Sequence, residues 1–402
     1  MTTQFKKSSV MFVFLSIGHF LDHLLMLIFA TAAALRLATE WSMEYASLIP
    51  YATPGFIAFA VCAIPAGWIA DKWSRNGMMV VFFIGLGASS IFTAMANSPF
   101  QIAVGLVFIG VFAAIYHPVG LAMVVQGRQK TGIPLAINGI FGNMGVASAT
   151  ILTGFLIDTS GWRNAFILPG ISSILIGLLF LWFIRTQWPA KEDDYGTIPA
   201  NKATESSNVT RTMLLRVFGV IFFTTAIGGI IFQSTTFALP KVFDERLTDL
   251  AGTATMIGWY AFLVFSVAAF GQLIVGYLVD NYSIRIVFAI VAILQAVFFF
   301  IMGELNGTAA LVIAIAFMLV VFGQIPINDV LVGRMVHTEW RSRAYAIRYI
   351  VTFSVMALAV PLIAWIHGTW GFNILFELLS IAAFTIFVAV LMLPRSKKVL
   401  HQ

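Results

Sequence analysis

The fold is decided by a short stretch that reads Gly67-Trp68-Ile69-Ala70-Asp71-Lys72-Trp73-Ser74-Arg75. A second copy of its pattern begins 209 residues later and reads Gly276-Tyr277-Leu278-Val279-Asp280. The same offset carries Asn164 onto Asn373. A constant offset across three separate features predicts that the chain consists of two related halves.

Apolar residues dominate the chain on both sides of these stretches. Of the 402 residues, 60% are hydrophobic and only 10% are charged. This composition is typical of a protein that lies mostly in lipid. The lone cysteine, Cys62, cannot form a disulfide within the chain.

Twelve apolar runs, each long enough to be read as a membrane-spanning helix, are separated by turns or charges. In the first half they cover residues 10–35, 46–70, 78–97, 99–125, 133–157 and 164–184. In the second half they cover residues 213–238, 254–279, 285–304, 308–333, 343–366 and 373–393. The polar composition of residues 186–211 predicts a cytoplasmic linker between an N-terminal bundle, residues 1–185, and a C-terminal bundle, residues 212–402.

The basic residues indicate the topology of the chain. The net charge is +6, and most of the 23 Lys and Arg fall in inside segments if the N-terminus is cytoplasmic. This positive-inside bias places both termini in the cytoplasm. The net positive charge is therefore explained by the orientation of the chain in the bilayer, and no nucleic-acid partner is expected.

The stretch that follows the second run resembles the signature of the major facilitator superfamily, Gly-x-x-x-Asp-(Arg/Lys)-x-Gly-Arg-(Arg/Lys). Four of its positions match, at Gly67, Asp71, Lys72 and Arg75. Ser74 and Asn76 depart from it, and Gly161-Trp162-Arg163 before the sixth run is also typical of the family. The resemblance implies an all-α membrane protein with the major facilitator fold. Its twelve transmembrane helices would form two pseudo-symmetric six-helix bundles that transport a solute by alternating access.

A finer resemblance, to the fosmidomycin-resistance-like branch of efflux proteins, rests on His19-x-x-Asp22 in the first run and His117-Pro118 in the fourth. That branch tends to have a glutamate after His-Pro, where this chain has Val119. The antiporter signature of helix five is also incomplete, because residues 135–157 contain no proline. The likeness favours efflux, while these departures leave room for uptake.

The segment Gly18–His23 places His19, Asp22 and His23 on one face of the first helix. An aspartate near mid-bilayer costs about 2.5–3.5 kcal/mol, so it needs a partner, a proton or a water-filled cavity. Histidine titrates near neutrality. We therefore predict that Asp22, coupled to His19 or His23, carries a proton during transport. A purely structural His–Asp pair between helices is the alternative.

His117 is expected at the same depth as His19, roughly 12–14 Å from the inner end of its helix. The resemblance implies that helices one, four, seven and ten line a central cavity, so that His117 joins the cluster of the first helix. Alternatively, His117 only satisfies carbonyls that Pro118 leaves free. Imidazole and carboxylate also suit Fe, Zn or Mn. No acidic cluster in the second half completes a metal shell, so a metal site at these residues is the minority interpretation, and no cofactor is expected.

Other polar residues in the apolar runs are candidates for substrate contact and gating. The predicted substrate-binding residues are His117, Gln233, Gln324, Asn328 and Arg348. The predicted gating residues are Asp71, Lys72, Arg75, Asp280 and Asp329. Arg348 could instead neutralise Asp329 or extend to the inner membrane surface.

These patterns together predict a proton-coupled secondary transporter of the bacterial inner membrane, with efflux of a small organic solute favoured. Uptake of an organic acid or a metal chelate by proton symport is the rival interpretation, and a transporter-like receptor is the rival from another class. No motif of an enzyme is present beyond the His/Asp cluster. The expected partners are a small-molecule substrate, protons and the lipid bilayer, and the chain is expected to be a monomer.

Overall fold

The computed structural model describes residues 2–128, 132–187, 211–335 and 338–393. This described part is almost entirely helical. Eleven of its helices are long and apolar enough to cross a membrane. The prediction of an all-α membrane protein is therefore confirmed.

Six spanning helices make up the first half of the chain. They are α1 (Thr2–Ala32), α2 (Thr53–Lys72), α3 (Arg75–Ala94), α4 (Pro99–Ala113), α5 (Gly132–Thr159) and α6 (Trp162–Thr186). Two of them continue through a π-helical turn, over Ala33–Leu37 after α1 and over Tyr116–Gly120 after α4. Beyond these turns the helices end with Ala38–Glu40 and Leu121–Val125. The short turns Tyr45–Leu48 and Ile49–Ala52 precede α2.

The second half contains five helices, and the last of them accounts for two spans. They are α7 (Arg211–Arg246), α8 (Ala254–Asn281), α9 (Ile284–Met302), α10 (Gly307–Met335) and α11 (Thr338–Leu391). The apolar part of α11 has 42 residues, which is about 60 Å of helix and twice the thickness of a bilayer core. Gly371 interrupts it at φ 78°, a backbone conformation that favours glycine. The described helices thus agree with the twelve predicted spans.

Ser74 explains one departure from the family signature. Its backbone is extended, and its Oγ accepts a hydrogen bond of 3.0 Å from the backbone N–H of Gly77. Serine is a preferred residue at this position because its side chain satisfies one of the free N–H groups of the first helical turn. Ser74 therefore starts α3 by side-chain capping.

The described residues divide into two compact units. The first unit contains residues 2–187 together with Ala251–Leu263, and the second contains residues 211–250 and 264–393. The predicted linker, residues 186–211, lies largely outside the described residues. Within the first unit, Thr255 donates from its backbone N–H and its hydroxyl to the carboxylate of Asp158, at 2.7 and 2.5 Å. This contact ties the start of α8 to the end of α5.

Glycines of α5 bring this helix close to α1. A Cβ at Gly145 would overlap the backbone carbonyl of Phe20, and one at Gly142 would lie 2.6 Å from Nε2 of His19. Small residues allow membrane helices to approach until their backbones touch. The close approach of α5 is what presses His19 against its neighbours.

Replacing Gly145 with Ala is expected to lower the thermal stability of the protein by about 1–3 kcal/mol, because the added methyl group meets backbone that cannot move aside easily. Gly132→Ala is the matched control on the same helix, since nothing lies within 4 Å of a Cβ at that position. Thermal unfolding in detergent compares the two variants. Equal melting temperatures would contradict the close α1–α5 packing.

An arginine holds the turn before the fourth helix of each half. In the first unit Arg163 donates to the carbonyl of Ala96 at 3.0 Å and to Oδ1 of Asn97 at 2.9 Å. In the second unit Arg246 donates to the carbonyls of Met302, Gly303 and Leu305. The first arginine comes from the start of α6 and the second from the end of α7. The two halves therefore hold equivalent turns with residues from different helices.

Candidate functional site

The four polar residues expected at one depth in the first half lie together in the first unit. Nε2 of His117 is 3.4 Å from Oδ2 of Asp22. Nε2 of His23 is 3.1 Å from Nε2 of His19. The rings of His19 and His23 lie 5.4 and 5.7 Å from the ring of His117. We call these four residues the His–Asp cluster.

His117 reaches the cluster from the π-helical turn Tyr116–Gly120. Pro118 has no backbone N–H and cannot continue the α-helical hydrogen bonds, so the helix opens at this point. Such π-turns within helices are frequent at functional sites. Pro118 thus lies in the π-helical turn that ends the regular part of α4, and His117 contacts Asp22 from this turn.

Asp22 is almost completely removed from solvent, with 1% of its surface exposed. Neither of its oxygens has a hydrogen bond within the part of the chain that the structure describes, and its contact with His117 is long for a charge-assisted bond. A buried carboxylate with so few partners is costly unless a proton or a cation neutralises it. Asp22 is therefore the chemically most demanding residue of the cluster.

His19 is held in one orientation by residues of α4 and α5. Its Nδ1 lies 2.8 Å from the backbone carbonyl of Asn138, and since a carbonyl only accepts, Nδ1 carries the proton. Its ring stacks on Tyr116 at 4.8 Å. In the neutral ring Nε2 is then left with a lone pair that faces His23.

Asn138 and Tyr116 are the two supporting residues that sequence reasoning missed. Both are fully buried, and Nδ2 of Asn138 donates to the Tyr116 hydroxyl at 2.9 Å. The same hydroxyl donates to the carbonyl of Leu15 on α1 at 2.7 Å. A lone asparagine in an apolar run and a tyrosine beside His117 are the signals from which they could have been found.

The second unit contains a buried set of amide side chains. Gln233, Gln324 and Asn328 are predicted substrate contacts, and each is less than 7% exposed. Such burial is what a binding site closed to solvent would give. Oε1 of Gln324 accepts a hydrogen bond of 2.7 Å from Nε2 of Gln295, a residue of α9 that the sequence did not single out. Arg348 is also buried, with 7% exposed. Substrate contact by these residues stays a prediction.

The predicted gating residues lie mostly at the surface of the described units. Arg75 donates to Asp71 at 2.9 Å, but these side chains are 40% and 65% exposed, so the pair contributes little stability. Lys72 and Asp280 are exposed as well. The side chain of Asp329 lies outside the described residues. The gating roles stay predictions.

Comparisons with known proteins agree with this architecture. Residues 15–248 and 221–402 match the sequence model of the Major Facilitator Superfamily. The chain is 23% identical to the 4-hydroxybenzoate transporter PcaK of Pseudomonas putida over 301 residues, which are 67% of this chain and 66% of that protein. It is 26% identical to a multidrug resistance protein B homolog of Mycobacterium tuberculosis over 156 residues, 37% of this chain and 28% of that protein. The chain thus spans two thirds or less of these relatives.

A crystal structure of a POT family transporter in complex with 5-aminolevulinic acid has the same fold. Its TM-score is 0.76 at 14% sequence identity, and the alignment covers 96% of this chain and 95% of that one. The Pseudomonas protein and the POT family protein are transporters by name. Since the family model matches nearly the whole chain, this multi-pass membrane protein belongs to the Major Facilitator Superfamily of transporters.

Proposed function

We propose that the chain is a proton-coupled secondary transporter, which moves a small organic solute across the bacterial inner membrane by alternating access. Both termini face the cytoplasm in this proposal, and the working unit is a monomer. The observation that carries it is the buried Asp22 of α1, whose nearest charged or titratable partner is His117 of α4 at 3.4 Å. A carboxylate in this position needs a neutralising ion, and a proton is the simplest one.

The histidines provide positions through which a proton can pass. Because Nδ1 of His19 donates to Asn138, Nε2 of His19 accepts, and Nε2 of His23 is the donor across the 3.1 Å contact. One added proton converts this neutral pair into a cation next to Asp22. Asp22, His19 and His23 then couple proton binding to the transport cycle, with His117 between Asp22 and the substrate.

Substrate contact in the second unit is assigned to Gln233, Gln324, Asn328 and Arg348. The burial of all four supports this part of the proposal, because hydrogen-bonding groups kept from water are suited to hold a polar solute. Gating is assigned to Asp71, Lys72, Arg75, Asp280 and Asp329. The match of Asp71, Lys72 and Arg75 to the signature of the family supports the first three of these assignments.

Efflux is the favoured direction, as in the fosmidomycin-resistance-like branch that His19, Asp22 and His117-Pro118 resemble. The likeness to the multidrug resistance protein B homolog is consistent with it. Uptake of an organic acid by proton symport is the second candidate, and the longer match with the 4-hydroxybenzoate transporter favours it. The two candidates differ in direction and share the proton-binding site.

Transport into everted membrane vesicles tests the proposal. Labelled 4-hydroxybenzoate, labelled ethidium and zinc citrate are offered with and without an imposed proton gradient. Gradient-driven accumulation in everted vesicles supports efflux, and accumulation only in right-side-out vesicles supports uptake. Binding of these probes without any flux would contradict the proposal and indicate a receptor.

A further inference from the structure

We propose that the His–Asp cluster binds a divalent transition-metal ion, which reaches it as the free ion or within a small organic chelate. The proposal names a class of transported substrate for the site described under the proposed function. The role of the metal ion as a transported substrate therefore rests on that function. Counting along the helices predicted that His117 joins the residues of α1, but the lack of an acidic cluster in the second half made a metal the minority interpretation. The arrangement of the three imidazoles now favours it.

The geometry of the three imidazoles carries the proposal. Within the described residues, ligand nitrogens of His19, His23 and His117 all lie within 4.8 Å of one another. Two nitrogens bound to one tetrahedral metal at about 2.0–2.1 Å are about 3.3 Å apart. Nε2 of His19 and Nε2 of His23 are already 3.1 Å apart. Small rotations of the His117 side chain would complete the set.

The carboxylate of Asp22 lies beside the three imidazoles, although it is not among the ligand atoms that converge within 4.8 Å. Oδ2 of Asp22 lies 3.4 Å from Nε2 of His117, close to the separation of two ligands on one metal. Its oxygens have no hydrogen bond among the described residues, so a lone pair is available. A divalent cation would also neutralise the buried negative charge of Asp22. Three imidazole nitrogens, with a fourth position left for water or a carboxylate oxygen, suit Zn, Fe or Co and do not suit Mg or Ca.

The supporting residues have the arrangement seen around metal-binding histidines. Such a histidine usually donates its second ring N–H to a carbonyl or carboxylate, which fixes the ring and aims the other nitrogen at the metal. His19 donates from Nδ1 to the Asn138 carbonyl at 2.8 Å, and Asn138 is held in turn by Tyr116. His19 and Asp22 are buried, and His23 and His117 are partly buried.

Binding of Co²⁺ and Zn²⁺ to the full-length protein in detergent tests the proposal without any transport. After treatment with a chelator, we expect one Co²⁺ per chain with the intense visible absorption of a four-coordinate ion, and its displacement by Zn²⁺. His23→Asn and His117→Asn should each weaken binding at least about tenfold. Adding citrate separates the two sources: tighter binding with citrate indicates a chelate, and weaker apparent binding, because citrate competes for the metal, indicates the free ion.

His367→Asn is the matched control, because His367 forms another histidine–carboxylate pair, 3.0 Å from Glu245 in the second unit, and should leave binding unchanged. A rise in the melting temperature of the unmodified protein with Zn²⁺ and not with Mg²⁺ gives a second measure that needs no variant. Absence of the Co²⁺ spectrum, or binding by the His23 and His117 variants as tight as that by the unmodified protein, would overturn the proposal. Gradient-driven flux of an organic probe would remain measurable in that case, so the proposed function is tested separately.

Discussion

Transport driven by a proton gradient is expected to fall about a hundredfold in the variant Asp22→Asn. Asparagine has nearly the same shape as aspartate but cannot bind or release a proton. A hundredfold loss corresponds to about 2.7 kcal/mol, similar to the cost of an unneutralised aspartate near mid-bilayer. The measurement is accumulation in proteoliposomes with an imposed pH gradient, using whichever screened probe the unmodified protein moves.

Exchange of labelled for unlabelled probe across the same proteoliposomes should survive the Asp22→Asn change. Exchange needs the alternating motion and no net proton movement, so its survival shows that the variant folds and cycles. Asp249→Asn is the matched control, since Asp249 is exposed in the turn after α7 and should keep both activities. If Asp22→Asn accumulates the probe as fast as the unmodified protein, Asp22 does not carry the coupled proton.

Loss of the Arg246 guanidinium is expected to be the most destabilising change in the second unit. Arg246 is 6% exposed and donates to three backbone carbonyls, those of Met302, Gly303 and Leu305. It also donates to Oδ1 of Asn373 at 2.9 Å. Arg246→Met keeps much of the side-chain length but removes every donor, which leaves these buried acceptors without partners.

Each buried acceptor left unpaired costs about 1–3 kcal/mol, so we expect the melting temperature in detergent to fall by about 5 °C or more. Arg163→Met in the first unit is the control. Arg163 holds the equivalent turn, but its side chain is 41% exposed and water can replace its bonds. A fall for Arg163→Met as large as that for Arg246→Met would show that burial is not what makes the second arginine important.

Several features of the fold were predictable because they depend on neighbours in sequence. Apolar runs define the spans, and the rise per residue of a helix is constant, so the common depth of His19 and His117 followed from counting. The repeat of Gly67 and Asp71 at Gly276 and Asp280 likewise indicated the two halves. The last two predicted spans, residues 343–366 and 373–393, lie within one helix, α11, which is interrupted at Gly371.

The contacts within the His–Asp cluster could not be predicted from the sequence. They depend on how each helix is rotated about its own axis, and residue spacing along one helix does not determine that rotation. Gly142 and Gly145 set the approach of α5 to α1, and that approach brings Asn138 to His19. Tyr116 and Gln295 were missed for the same reason, because each acts on a residue of another helix.

The sequence by itself therefore determined the family and the membrane-spanning helices, since both follow from local pattern and helix geometry, and it predicted a common depth for the polar residues. The tertiary structure alone decided which of those residues meet. It showed that His117, which counting had placed at the depth of His19, contacts Asp22, with its Nε2 3.4 Å from Oδ2 of that residue. The reason is physical: side-chain convergence is set by packing between helices, where a glycine or a π-turn on one helix positions a group on the next.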